Sequence, residues 1–225
     1  MMSFSYRGLK INDIEILPTP KKQEEGTCAR HAAVVCTQSL YKIKHAKKQP
    51  PEQFPSLSIQ HCIDATSNKK FTNDVIEWLR DKGVTTEDLY PYEGPIGTYR
   101  CSKNWIRYHI RGCYDFNKSR AEEMYDELCK QLMEKGPFMG CFVILSDYFT
   151  PNVESHGHYK AEGELRLDRE NQIPKHLVTI TGFGEKNGER VWEYLNSFGP
   201  NWGRDGYGTL PFRCVDEYFI PYLTE

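Results

Sequence analysis

No stretch of the 225 residues approaches the ~20 consecutive apolar positions that a bilayer-crossing helix needs, so a membrane-spanning reading is set aside. Neither sign of charge dominates: 29 Lys and Arg against 31 Asp and Glu leave a formal net charge of −2. A nucleic-acid binder would carry a visible basic excess, so that class is also unexpected. The eight cysteines include no CxxC pair, which argues against zinc ribbons and fingers. Internal repeats and low-complexity tracts are missing as well. The opening MMSFSYRGLKINDIEILP lacks the basic start and unbroken apolar stretch of a secretory signal. The expectation is a monomeric cytoplasmic chain in a reducing compartment, with most thiols acting as small buried hydrophobes.

What is present is enough for a packed core: 39% hydrophobic and 13% aromatic residues. After a loop-rich start, TCARHAAVVCTQSLYKIKHAKK has the spacing of a helix capped by Thr27. Its apolar face is Ala32, Val35, Cys36, Leu40 and Ile43. LSIQHCID reads as a short helix, and TNDVIEWLRDKG as another, capped by Thr72 or Asn73 and stopped by Gly83. The second half changes character. WIRYHIRGCYDF, PFMGCFVIL, HLVTITGFG and VWEYLNSFG have strand chemistry. Between the first two lies a helix, SRAEEMYDELCKQLMEKGP, with a Ser119–Glu122 capping box. A helical lobe followed by a β lobe predicts an α+β fold with a cleft where the lobes meet.

One cysteine has company that the others lack. Cys28 sits where the Gly26–Thr27 turn enters the first helix, and backbone N–H groups at a helix start favour a thiolate. Lowering a thiol pKa by roughly 4 units needs about 5–6 kcal/mol, whereas a helix end supplies ~1 kcal/mol or less. A cationic partner must therefore do most of the work. His176, opening the strand HLVTITGFG, is the candidate, and Asn196 is placed to orient its ring. The separation 176 − 28 = 148 falls within the roughly 130–150 residues expected between a papain-type cysteine and its histidine.

From about Gln23 to Gly208 the sequence resembles the papain family of cysteine peptidases. GTCARHAAVV resembles the segment around the nucleophile, LSIQHCID resembles LSEQxLVDC, and KGVTTEDLYPYEG resembles GGIxxExxYPYxG. GPFMGCFVI, HLVTITGFG and NSFGPNWGRDGYG resemble GPVxVxI, HAVxxVGYG and NSWGxxWGxxGY, all in the family's order. The resemblance implies a two-lobed fold, with a helical lobe over 12–112 and a β-rich lobe over 113–225 on which residues 1–11 pack. It implies Cys28 as nucleophile, His176 as general base and acid, and Asn196 as the group orienting His176. Gln23 would donate to the oxyanion beside the Cys28 N–H, Trp202 would shield the histidine–asparagine pair, and Trp202 and Gly26 would border the substrate. The implied reaction is hydrolysis of peptides or proteins through a thioester, with no metal or organic cofactor.

The chain also departs from the family pattern. Gln23 lies five residues before Cys28 rather than six, Ala29 replaces an aromatic residue, and Phe198 replaces the tryptophan of NSWG. After Asp64 the chain reads ATSNKKFTND, without the family's Cys-x-Gly-Gly loop, whose backbone holds extended substrate. Cys101 matches a family disulfide position, yet its partner position is Ala65, and the cysteine just before the nucleophile is missing. These departures leave two alternatives: a weak or inactive homologue that binds peptides in its cleft, or a thiol acyltransferase on the same scaffold. His31 reads as a lobe-interface side chain and His156-Gly-His158 as a polar loop. The run of Lys42, Lys44, His45, Lys47 and Lys48 reads as a solvated helix end, and Trp78 and Trp105 as packing residues.

Overall fold

A helix that is apolar on every side belongs in the middle of a protein. Helix α1 (Cys28–Ala46) is buried without a break from Ala29 to Leu40. The computed structural model describes residues 3–69 and 71–223, and in it α1 runs between the two lobes. The expected face of Ala32, Val35, Cys36, Leu40 and Ile43 is buried, and so are the opposite sides. Polar residues on these extra sides need partners, and two find them inside the helix. Thr37 and Ser39 return their hydroxyls to the Ala33 and Val35 carbonyls at 2.8 Å each. Thr27 holds the N-cap position, as expected, but its side chain makes no cap bond; the hydroxyl donates instead to the Glu24 carbonyl at 2.7 Å, closing the turn before Cys28.

On one side of α1 lie α2 (Ile59–Ala65) and α3 (Thr72–Asp81). Ser58 caps α2 by accepting the His61 N–H at 2.9 Å. The start of α3 differs from expectation: the cap is Phe71, whose N–H meets the Asp74 carboxylate at 3.4 Å. A buried polar network explains why YPYEG follows. Gln60 Oε1 accepts the N–H groups of Glu93 and Gly94 at 3.0 Å each. Asp64 takes the Tyr90 hydroxyl and the Gly97 N–H at 2.7 Å each. These bonds fold the 90–97 loop onto α2.

The other lobe is a mainly antiparallel sheet. Its strands are β1 (Phe4–Ser5), β4 (Gly112–Asn117), β5 (Phe138–Val143), β6 (Lys175–Lys186), β7 (Glu189–Leu195), β8 (Tyr207–Pro211) and β9 (Val215–Tyr222), in the order β4-β9-β5-β6-β7-β8. A separate hairpin joins β2 (Lys10–Ile11) to β3 (Ile14–Glu15). The twelve residues of β6 exceed the reach of β5, and β1 takes over that edge at Gly182 and Phe183. Gly182 is required there, since a Cβ would come within 2.6 Å of the Phe4 carbonyl. Strand β6 lies along α1, with the Thr179 hydroxyl 3.5 Å from the Ala32 carbonyl.

Two further sequence expectations change. The strand read over WIRYHIRGCYDF shrinks to β4, because Tyr108 bridges to Val84 in the helical lobe and only the second half joins the sheet. The single helix after it is two, α4 (Lys118–Glu123) and α5 (Tyr125–Glu134), broken at Met124. Its cap is Asn117, which accepts the Arg120 N–H at 3.3 Å, so Ser119 lies inside the first turn. The remaining helix, α6 (Pro151–His156), ends in the left-handed Gly157. All eight cysteines are free; Cys36, Cys62, Cys129 and Cys141 are buried, whereas Cys101 is exposed.

The imidazole of His61 is fully buried between Tyr90, Tyr99, Trp78 and Trp105, at ring separations of 5.1–6.1 Å. Its Nδ1 accepts the Thr85 N–H at 3.3 Å, so the proton rides on Nε2, which has no hydrogen-bond partner. Burial, aided by Arg107, pushes the ring down to about 4 from its ordinary 6.5. Between those values the unfolded chain binds more protons than the folded one. Stability should therefore fall by up to roughly 3 kcal/mol as pH drops through that window. Urea unfolding at neutral and at mildly acidic pH reads this. His61→Phe should flatten the dependence, and an unchanged slope in that variant would count against it.

Candidate active site

The turn before α1 depends on Gly26, whose φ of +75° suits a residue without a Cβ. Thr27 is buried behind it, and Cys28 begins the helix half-buried at the lobe boundary. Burial works against a thiolate at Cys28. The hydrogen bond and charge of His176, with the backbone N–H groups of Leu177 and Ala29, outweigh it and hold the thiol below its ordinary value. Other cysteines go the opposite way: burial pushes Cys62, Cys113 and Cys141 up to about 12. Cys28 is thus prepared to ionise where these three are not.

His176, the second residue of β6, is 3% exposed and faces Phe142 across the β5–β6 register. Its Nε2 lies 2.8 Å from Asn196 Oδ1, just past the end of β7. Which end of the asparagine amide faces the ring follows from a neighbour. The Ser197 N–H can only donate, and it reaches the same Oδ1 at 2.9 Å. Asn196 Nδ2, in turn, donates to the Tyr148 hydroxyl at 3.2 Å. Nε2 of His176 must therefore carry a proton, which leaves Nδ1 for the sulfur. The ring is also boxed in by aromatics: Phe198 stacks on it at 5.1 Å and 27°, and Phe142 meets it edge-on at 5.7 Å.

Gln23 comes to the same loop. Its backbone N–H donates to the Ser197 carbonyl at 2.7 Å, its amide oxygen accepts the Ser197 hydroxyl, and Nε2 donates to the Glu24 carbonyl at 3.3 Å. One N–H of that amide is left over. Trp202 is buried behind Phe198, edge-on at 5.9 Å, and also packs on Tyr148 and Tyr194. The ring directly over His176 is therefore Phe198, with Trp202 as the layer behind. Gly26 and Cys28 share a cleft of about 440 Å³ with Phe71, Asn73, Leu177 and Phe219. Its far rim carries an ion pair, Lys175 Nζ to Glu217 Oε1 at 2.5 Å.

Residues set apart in the sequence take other places. His31, one turn beyond Cys28, meets the Tyr92 hydroxyl at 3.2 Å; burial, with the charges of Lys21 and His176, holds it down to about 3. His156 and His158 look in different directions, toward Ser155 and Thr209, and among the described residues no cluster of three or more His, Cys, Asp or Glu side chains could hold a metal. In the lysine run, Lys42 reaches the Glu15 carbonyl and Lys48 the Glu52 carboxylate. Sequence reasoning missed Tyr148 and Ser197. The serine lay within a recognised motif, NSFG, but a loop tyrosine gives no signal of what it will touch.

The model of the papain family cysteine protease matches residues 5–215. A viral cathepsin of Adoxophyes honmai nucleopolyhedrovirus is 28% identical over 188 residues, 81% of this chain and 50% of its own length. The chain thus spans about half the length of such curated relatives. Among solved structures, digestive procathepsin L2 proteinase from Tenebrio molitor larval midgut superposes with a TM-score of 0.73 at 23% identity, over 98% of this chain and 68% of that one. The bromelain protease from Ananas comosus, solved in complex with the E64 inhibitor, gives a TM-score of 0.68 at 23% identity and 99% coverage of both chains. With a helical lobe, a β lobe and a thiol facing an imidazole across them, and with a family match over nearly its whole length, the chain belongs to the papain family of cysteine proteases.

Proposed function

We propose that this chain hydrolyses peptide bonds, with Cys28 as nucleophile, His176 as acid and base, and Asn196 as the group that orients His176. The observation that carries the reading is the lowered Cys28 thiol beside an imidazole whose other nitrogen is fixed by an asparagine. The Cys28 thiolate adds to the scissile carbonyl carbon. The oxyanion is held by the Cys28 N–H and the spare N–H of Gln23. As the C–N bond breaks, the His176 imidazolium gives its Nδ1 proton to the leaving amine, and a thioester remains. Water then attacks the thioester while His176 takes its proton, which releases the carboxylic product and restores the ion pair. Peptides or proteins are the substrates on this reading. The eight free thiols support a reducing compartment, and no helix among the described residues is long and apolar enough to cross a membrane.

Stoichiometric labelling of Cys28 by an epoxysuccinyl inhibitor, with cleavage of a fluorogenic dipeptide library, is the expected result under reducing conditions. Absence of label would leave a peptide-binding homologue. Label without cleavage, but with transfer to an added amine, would indicate the acyltransferase. His176→Ala should lower kcat/KM by about 10³ or more. The same variant should move the pH midpoint of Cys28 alkylation upward, because burial then acts unopposed. An unmoved midpoint would remove His176 from the pair. Gln23→Ala should cost about 10²–10³ in kcat if its amide serves the oxyanion. Steady-state kinetics with unchanged kcat would refute that role.

A further inference from the structure

Two residues beyond Cys28 on α1, Arg30 is only 7% exposed, yet its hydrogen bonds lead to no carboxylate. Its guanidinium reaches two separate segments. Nη1 donates to the Gly26 carbonyl at 3.1 Å, in the turn that delivers Cys28. Nε donates to Thr66 Oγ1 at 3.1 Å, and Nη2 donates to the Thr66 and Lys69 carbonyls at 2.7 and 2.5 Å. Four of the five N–H groups of an arginine are thereby used. The acceptors on the second side are the last groups of α2 and of the segment leaving it, where a cation is also favoured by the helix dipole. That segment continues into Phe71 and Asn73, which wall the cleft shared with Cys28. Phe71 is 74% exposed, so this wall has little packing of its own to hold it.

No sulfur–sulfur bond joins the two segments: residues 63–100 contain no cysteine, and all eight thiols are free. We infer that Arg30 is a positioning residue, a planar cationic tie that sets the distance between the Gly26–Cys28 turn and the segment at Thr66 and Lys69 that leads to the Phe71 and Asn73 wall of the cleft. It thereby governs peptide binding without touching the peptide. A lysine cannot substitute, because one ammonium cannot present donors in a plane to acceptors on two segments of the chain. Charge alone is not the function; the fork is.

This inference rests on the proposed peptidase reading, and its test has one arm that does not. Arg30→Lys and Arg30→Gln are compared with the parent chain by hydrogen–deuterium exchange, by kinetics on an extended peptide, and by the alkylation rate of Cys28 with iodoacetamide. Exchange should rise about tenfold or more within 64–73 and much less elsewhere. KM should rise about tenfold with kcat within a fewfold, while iodoacetamide, too small to need the wall, should react within about twofold of the parent rate. If the Arg30 variants do not fold, Thr66→Val removes one acceptor at nearly constant volume and should give the same local pattern at smaller size. Exchange rising evenly along the chain, or not at all in 64–73, would overturn the inference. So would peptide turnover and alkylation falling together. If the parent chain cleaves no peptide, the peptidase reading fails, and the exchange pattern alone decides the role of Arg30.

Discussion

The Ser197 backbone N–H has only one thing it can do, which is donate, and it donates to Asn196 Oδ1. That fixes the amide, the amide fixes the proton on His176 Nε2, and the remaining nitrogen is turned to the Cys28 sulfur. Each member sits on a different element. Cys28 opens the helix between the lobes, His176 opens the strand lying along that helix, and Asn196 follows the next strand. The contact of α1 with β6 therefore does two jobs. It forms much of the core, and it sets the reach between sulfur and ring. A register slip of one residue in β6 would turn His176 to the other face of the sheet.

Energetically the site is a contest between burial and pairing. Taking a thiol out of water disfavours its ionised form, as at Cys62, Cys113 and Cys141. Cys28 escapes because an imidazole and two backbone N–H groups converge on it, a set that no helix end could match by itself. The aromatic box of Phe198, Phe142 and Tyr148 keeps water from competing for the histidine–asparagine bond. Replacing the family's tryptophan by Phe198 preserves a stacked ring, so this departure changes the size of the shield and not its presence.

Much of this was legible in the residues. Period-three and period-four spacing located α1, β-branched runs located β5 to β7, and the order of Cys28, His176 and Asn196 matched a known pattern. What stayed hidden depended on long-range pairing. Strand β9 carries Pro221 and four charged or phenolic residues, so its fragment reads poorly as a strand, yet it pairs on both sides. The break at Met124 reflects two short helices laying their apolar residues on the sheet separately. Arg30, Ser197 and Tyr148 are ordinary polar residues that each have a partner 36 to 174 positions away, and spacing along the chain cannot reveal such contacts.

Strand order also bears on how the molecule comes into being. Gly112 pairs with Tyr222, so β4 must wait for a neighbour synthesised long after it, and that neighbour lies inside the sheet rather than at its rim. Until it arrives, β5 presents an open edge, and the rim that Glu217 and Phe219 give the cleft does not exist. Assembly of the β lobe and completion of the cleft are then one late event. A nascent chain would hold its thiol without a finished place to use it.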